Sequence, residues 1–234
     1  MGKSGNNIKS IITILIVSVW FSTTLAQSNP ELSIKPIKCV SGYGKAVALT
    51  FDDGLRPEIH KQLLNLAKKE SVLVTFFLIG NTVDKNRLLK RTIREGHEIG
   101  NHSMTHSVLT KLSDSELRSE ILDFQMMFKE DYDYVPTVFR APKLQYDERV
   151  MKVLKESNLI PVNATVGTKD WAEDTTKEYI YNKAISAMKT CDGCIILMHE
   201  VKKTVDVLPQ IIKYYRDNGY KFVTVSQLLS NKIQ

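Results

Sequence analysis

The chain has 234 residues, is 43% hydrophobic and carries a formal charge of +6. It can bury a real core and suits a single domain or one larger barrel. The mild positive charge makes no case for nucleic acid and fits loose attraction to an acidic wall or glycan.

Lys3 and Lys9 precede an apolar run over 11–21, and Thr24-Leu25-Ala26 offers small residues at a cleavage position. Residues 1–26 therefore predict a secretory signal peptide, with an uncleaved anchor as the alternative. The run is short for a membrane span, so no stable insertion is expected after cleavage. Without Lys3 and Lys9 the 32 basic residues become 30 against 26 acidic ones, a charge of +4. Secretion also bears on Cys39, Cys191 and Cys194, since thiols outside the cell tend to pair. Cys39 with Cys191 is the expected disulfide, because both lie shortly before strands. Three free, small hydrophobic side chains are the alternative.

Residues 27–42 read as an extended lead-in and 43–234 as one domain. The apolar segment 46–51 predicts a strand. Pro57 opens a helix over 57–70, with Leu63, Leu64, Leu66 and Ala67 facing inward and His60 exposed. The run 72–79, ended by Gly80-Asn81, predicts a strand buried on both faces. A short basic helix follows over 86–95. Ser113-Asp114-Ser115-Glu116 is a capping box that opens a helix to about Tyr132. Strands are then expected over 137–140, 160–166, 194–198 and 221–225, with helices over 147–157, 176–189 and 205–218. This alternation predicts an α/β fold with a parallel sheet and helices outside. About seven strand–helix units in so short a chain point to a small, incomplete (β/α) barrel in a single domain.

In such a barrel chemistry gathers at the C-terminal strand ends. Asp52-Asp53, Arg140, Asp170 and His199 all sit at or just after such ends. Neighbouring side chains on a strand point to opposite sides, so Asp52 and Asp53 should do different work. His102 and His106 are four apart, the spacing that puts two imidazoles on one face of a helical turn. With Asp53 they make an open metal site, and Asp52 is free to act as a base on water. Two imidazoles and a carboxylate suit Zn2+, with Co2+ or another first-row ion possible. The alternative is a pair of ordinary polar histidines near a turn. His199 is either a capped structural residue or a catalytic acid, with Asp170 placed to hold its ring and raise its pKa. Arg140 can pair with Asp52. Plain salt bridges would explain Arg140 and Asp170 equally well.

These residues resemble the polysaccharide deacetylases, the NodB-homology carbohydrate esterases that include chitin deacetylases. The resemblance rests on Thr50-Phe51-Asp52-Asp53-Gly54, His102-Ser103-Met104-Thr105-His106, Arg140-Ala141-Pro142, Asp170-Trp171 and Leu197-Met198-His199, in that order. It implies a distorted (β/α) barrel, a catalytic domain over 43–234 and metal-dependent removal of acetyl groups from a polysaccharide. Asp52 would be the base, His199 the acid, and Asp53, His102 and His106 the metal ligands. Arg140 would orient Asp52 and Asp170 would tune His199. Trp171 and Leu197 would form the acetyl pocket, with the Lys143 backbone N–H on the oxyanion. The implied substrate is an N-acetylglucosamine-containing glycan, chitin before peptidoglycan, acted on by a monomer that is secreted or held at the cell wall. Lys143 and Leu144 replace the family's usual aromatic and Gly, Gly167 replaces an Asp, and Glu200 replaces the Asp after the last motif's His. These departures support the rival reading, a secreted carbohydrate-binding pseudoenzyme that keeps the metal site.

Overall fold

The computed structural model describes residues 1–2, 35–42, 44–83 and 87–230. The expected signal peptide, beyond its first two residues, lies outside them. The strands are β1 (Cys39–Val40), β2 (Ala46–Asp52), β3 (Thr75–Leu78), β4 (Glu98–Asn101), β5 (Val138–Phe139), β6 (Ile160–Pro161), β7 (Val166–Gly167), β8 (Gly193–His199) and β9 (Lys221–Phe222). The helices are α1 (Pro57–Glu70), α2 (Arg87–Arg94), α3 (Asp114–Tyr132), α4 (Glu148–Glu156), α5 (Lys177–Ser186), α6 (Lys202–Asp217) and α7 (Val225–Ser230). One sheet runs β1-β8-β2-β3-β4-β5-β6, with β7 beside β8 and β9 beside β2. It curls into an open half-barrel in a single α/β domain.

Strand periodicity sorts the core into two faces. On β2, Val47, Leu49 and Phe51 pack outward with Leu63, Leu64, Ile211 and Ile212 of α1 and α6. Ala46 and Ala48 face the other way, against Phe77, Val138 and Ile195. Thr50 and Asp52 continue that inner row, because side chains alternate with period two. On β8 the inner row likewise runs through Ile195 and Leu197 to His199.

Parallel register then aligns the strand ends. Asp52 stands opposite His199 on one side and Phe77 on the other. Leu78 is opposite Asn101, and Asn101 opposite Phe139. His102 and Arg140 are the next residues along, so both emerge at the same edge.

Several expectations need correction. The described end of the lead-in joins the sheet: β1 pairs antiparallel with β8, and Ile37 bridges to Val162. The segment 160–166 is not one strand, because β6 pairs with β5 whereas β7 crosses to β8. The segment 221–225 is a two-residue strand followed by α7. His60 is fully buried, not exposed. It belongs to the stripe His60, Leu63, Leu64 and Ala67, which has the spacing of one helix face. The three cysteines are free, and the expected Cys39–Cys191 bond is not formed. Burial, with the neighbouring Cys191 thiol adding to it, pushes the Cys39 thiol up to about 11. The Cys191 and Cys194 thiols donate instead to the carbonyls of Gly193 and Cys191. The capping box of α3 is formed as expected, with both reciprocal bonds of Ser113 and Glu116 present.

Gly100 on β4 lies against the Phe77 ring, and a Cβ there would sit 2.5 Å from two ring carbons and 3.1 Å from Val138. Gly100→Ala should therefore destabilise the domain by about 1–3 kcal/mol through overpacking. A urea midpoint equal to that of wild type would refute the close approach.

Candidate active site

Asp52 ends β2 and is 3% exposed. Its Oδ1 accepts from Arg140 Nη1 at 2.6 Å. The same Nη1 is 2.7 Å from Thr50 Oγ1, and Nη2 donates to the Asn163 carbonyl at 3.0 Å. The Arg140 guanidinium lies 4.1 Å from the Phe77 ring centroid. Arg140 follows β5 directly, so its side chain reaches across the strand ends to β2.

Asp53 leaves the strand through a left-handed conformation, φ 70°. That turn sends its carboxylate toward the loop after β4. There Asp53 Oδ1 is 3.3 Å from His102 Nε2 and 3.2 Å from His106 Nε2. Ligand atoms of the three residues all lie within 4.8 Å of one another. The spacing of the two histidines is not helical. The loop bends through positive φ at Ser103 and His106, and Ser103 Oγ accepts from the His106 N–H. The imidazoles converge through this bend rather than along a helix face.

The donor chemistry fits a divalent cation. His102 Nδ1 is 2.6 Å from the Arg140 carbonyl, so Nδ1 carries a proton, and the ring in its neutral form presents a bare Nε2 to Asp53. Two acceptors, Nε2 and Oδ1, then face each other at 3.3 Å, which calls for a positive charge between them. Burial pushes the Asp53 carboxyl up, but in their protonated forms the facing imidazoles bring it down to about 2, His102 first by hydrogen bond and charge, then His199 and His106 by charge; a cation at the same point acts in the same direction. Burial and the neighbouring His102 lower His106, which favours the neutral, ligating ring.

His199 closes the other side. Its Nδ1 is 2.8 Å from Asp170 Oδ1, its backbone N–H donates to Asp170 Oδ2 at 2.7 Å, and Nε2 points to Asp53 Oδ2 at 3.8 Å. Burial alone would lower its pKa. The Asp170 hydrogen bond and the charges of Asp52, Asp170 and Asp53 outweigh that and raise it. Asp170 is itself buried and also accepts from Thr204 Oγ1.

Of the remaining expected residues, Leu197 lies on the inner row of β8 at 8% exposure, and Trp171 is 65% exposed beside Asp170. Lys143 is exposed, holds φ 55° and is near enough for its charge to act on His106. Sequence reading missed the Asn163 and Arg140 carbonyls, because a backbone oxygen has no residue signature. It also missed Tyr146, whose hydroxyl accepts from the Ala141 N–H and donates to the Val162 carbonyl.

A family model described as polysaccharide deacetylase matches residues 40–162, more than half of the chain. The chain belongs to the polysaccharide deacetylase family. A peptidoglycan-N-acetylglucosamine deacetylase of Bacillus cereus is 37% identical over 195 residues, covering 80% of this chain and 90% of the relative. One from Listeria monocytogenes is 36% identical over 192 residues, 81% of this chain. The chain spans only 40% of that relative's length. Among solved structures, a family 4 acetyl xylan esterase from Clostridium thermocellum with a cobalt ion superposes with a TM-score of 0.74 and 31% identity. It covers 80% of this chain and 92% of its own. A pseudoenzyme of the same family from Bacillus anthracis superposes at 0.78 with 29% identity, over 85% of this chain and 70% of its own.

As a member of this family, the chain has a His/Asp triad that fits one divalent metal. Titration with Co2+ should saturate at one ion per chain. Outer partners of a metal site are typically worth about 10–100-fold in affinity, so loss of a direct ligand in Asp53→Asn or His106→Ala should cost at least that much. Isothermal titration calorimetry reads the change, and wild-type affinity in either variant would remove that residue from the ligand set.

Proposed function

We propose that this chain is a metal-dependent hydrolase that removes acetyl groups from N-acetylated sugars of peptidoglycan and releases acetate. The observation that carries this reading is the pair Asp52 and His199, opposite each other in register and flanking the Asp53, His102, His106 triad. A preference for chitin finds no support, since several curated relatives are named for peptidoglycan N-acetylglucosamine or N-acetylmuramic acid. Action at the cell wall, after secretion, fits that substrate. Among the described residues no helix is long and apolar enough to cross a membrane.

A divalent ion held by Asp53, His102 and His106 would act as a Lewis acid, lowering the pKa of water and polarising the acetyl carbonyl. Zinc is the ion we propose, on its affinity for imidazole and carboxylate. Asp52 takes the proton from the attacking water. Its Oδ1 is committed to Arg140, which leaves Oδ2 for that proton. His199 gives a proton from Nε2 to the departing sugar nitrogen, which cannot leave as an amide anion. Asp170 holds Nδ1, so Nε2 is the transferring atom. The Lys143 backbone N–H serves the oxyanion, a role that needs no side chain. Trp171 and Leu197 border the acetyl methyl.

The fold neighbour described as a pseudoenzyme keeps a second reading in view, a glycan-binding protein without turnover. The complete set Asp52, Arg140, Asp170 and His199 argues against it, because binding alone does not need both proton carriers.

Acetate release from peptidoglycan, chitin oligomers and acetylxylan separates the two readings. Turnover on peptidoglycan supports the proposal, and binding without turnover on any of the glycans overturns it. Asp52→Asn should lower kcat by about 10²–10⁴-fold with the fold intact. The acid form of His199 is the working form, so kcat/KM should fall as pH rises through its elevated pKa. Asp170→Asn removes the main cause of that elevation and should move the alkaline limb to lower pH. An unmoved limb would exclude His199 as the acid.

A further inference from the structure

Directly beneath the metal triad lies a buried polar cluster that the mechanism does not use. Glu200, next to His199, is 2% exposed, and His60 and Thr92 are fully buried. Glu200 Oε2 accepts from the Arg56 backbone N–H at 2.8 Å. Glu200 Oε1 is 2.7 Å from His60 Nδ1, and His60 Nε2 is 2.8 Å from Thr92 Oγ1. The Thr92 hydroxyl gives its own proton to the Leu88 carbonyl, so it must accept from His60 Nε2. Nε2 is therefore protonated, and one further proton lies between Nδ1 and Glu200. Every polar atom of the pair is matched, which a buried cluster requires.

The cluster grips the turn that carries Asp53. A Cβ on Gly54 would lie 2.3 Å from Glu200 Oε1, so the backbone rests directly on the carboxylate. From the other side Thr82 Oγ1 bonds the Gly54 carbonyl at 2.6 Å and accepts from the Leu55 N–H at 3.0 Å. Residues 54–56 are thus pinned between Glu200 and Thr82. Glu200 also joins the end of β8 to the start of α1, through Arg56 and His60.

We propose that the buried Glu200–His60 pair is a positioning device. It holds the Asp52-Asp53-Gly54 turn against the end of β8 and so sets how well Asp53 binds the metal. Neither residue touches substrate or ion. The effect passes through the backbone of residues 53–56, since any drift there moves Asp53 relative to His102 and His106. The reach of a Glu is what the geometry uses: it extends from residue 200 to the Arg56 N–H and the His60 ring at once.

The inference rests on the metal reading above. Its test uses the full chain with Glu200→Ala, Glu200→Gln and His60→Ala. Circular dichroism establishes folding, visible absorption follows Co2+ titration, and acetate release gives kcat and KM. Glu200→Ala should weaken Co2+ binding and lower kcat by about 10–100-fold, with KM little changed. Glu200→Gln should stay within about threefold of wild type, because its amide oxygen can accept from Arg56 while its NH2 donates to His60 Nδ1. A folded Glu200→Ala protein with wild-type Co2+ affinity overturns the inference. So does a Glu200→Gln protein as impaired as Glu200→Ala, since hydrogen bonding would then not be the cause. Should Glu200→Ala fail to fold, His60→Ala decides, because it leaves the Arg56 bond in place. A loss of about tenfold in Co2+ affinity is expected there, and no loss overturns the inference. Wild type that binds no Co2+ overturns the metal reading along with this one. Wild type that binds it, with variants that bind it equally, overturns this one alone.

Discussion

A guanidinium buried at the mouth of a half-barrel is the constraint on which the site depends. Arg140 is fully buried, and removing its charge from water is costly unless the charge is matched. Asp52, Thr50, the Asn163 carbonyl and the Phe77 ring supply the match. These partners come from β2, β3 and the chain beyond β6, so the Arg140 side chain ties distant strand ends to one point. Its backbone acts too, because the Arg140 carbonyl takes the His102 Nδ1 proton and turns that ring toward Asp53. One residue thereby orients both the Asp52 carboxylate and the His102 ring.

The rest of the site follows the same logic of assigned protons. Asp170 accepts at Nδ1 of His199 and from its backbone, which leaves Nε2 facing the cleft. The Arg140 carbonyl does the same for His102 with the opposite result, a bare Nε2. The Nδ1 atoms of the two histidines thus face different partners, a carboxylate for His199 and a neutral carbonyl for His102. A carboxylate favours the charged ring and a carbonyl does not, so the roles proposed for the two rings, acid for His199 and ligand for His102, follow from their second partners.

Much of this was legible in the chain. The segment 57–70 and the capping box at Ser113 specify α1 and α3 locally, and both helices have the expected bounds. The motif residues lie at strand ends because apolar runs of strand length stop at them. What failed depended on neighbours far away in sequence. The segment 160–166 looks continuous, yet its halves serve different partners across the sheet. The extended lead-in carries no sign of a partner, yet Ile37 bridges to Val162, more than a hundred residues on. His60 was misread despite sharing a face with Leu63, Leu64 and Ala67, because a polar side chain on an outer helix is buried only when a partner such as Glu200 awaits it.

The amino-acid sequence by itself determined which side chains are available, the bounds of α1 and α3, and that Asp52 and His199 stand where apolar runs of strand length stop. Those properties are local, set by hydrophobic period, caps and turn residues acting over a few positions. Tertiary structure alone decided that Asp52 meets His199, that the Arg140 carbonyl meets His102, and that Glu200 lies beneath Gly54. Such pairings depend on parallel register and sheet curl, which arise only when strands far apart in the chain bury their apolar faces together.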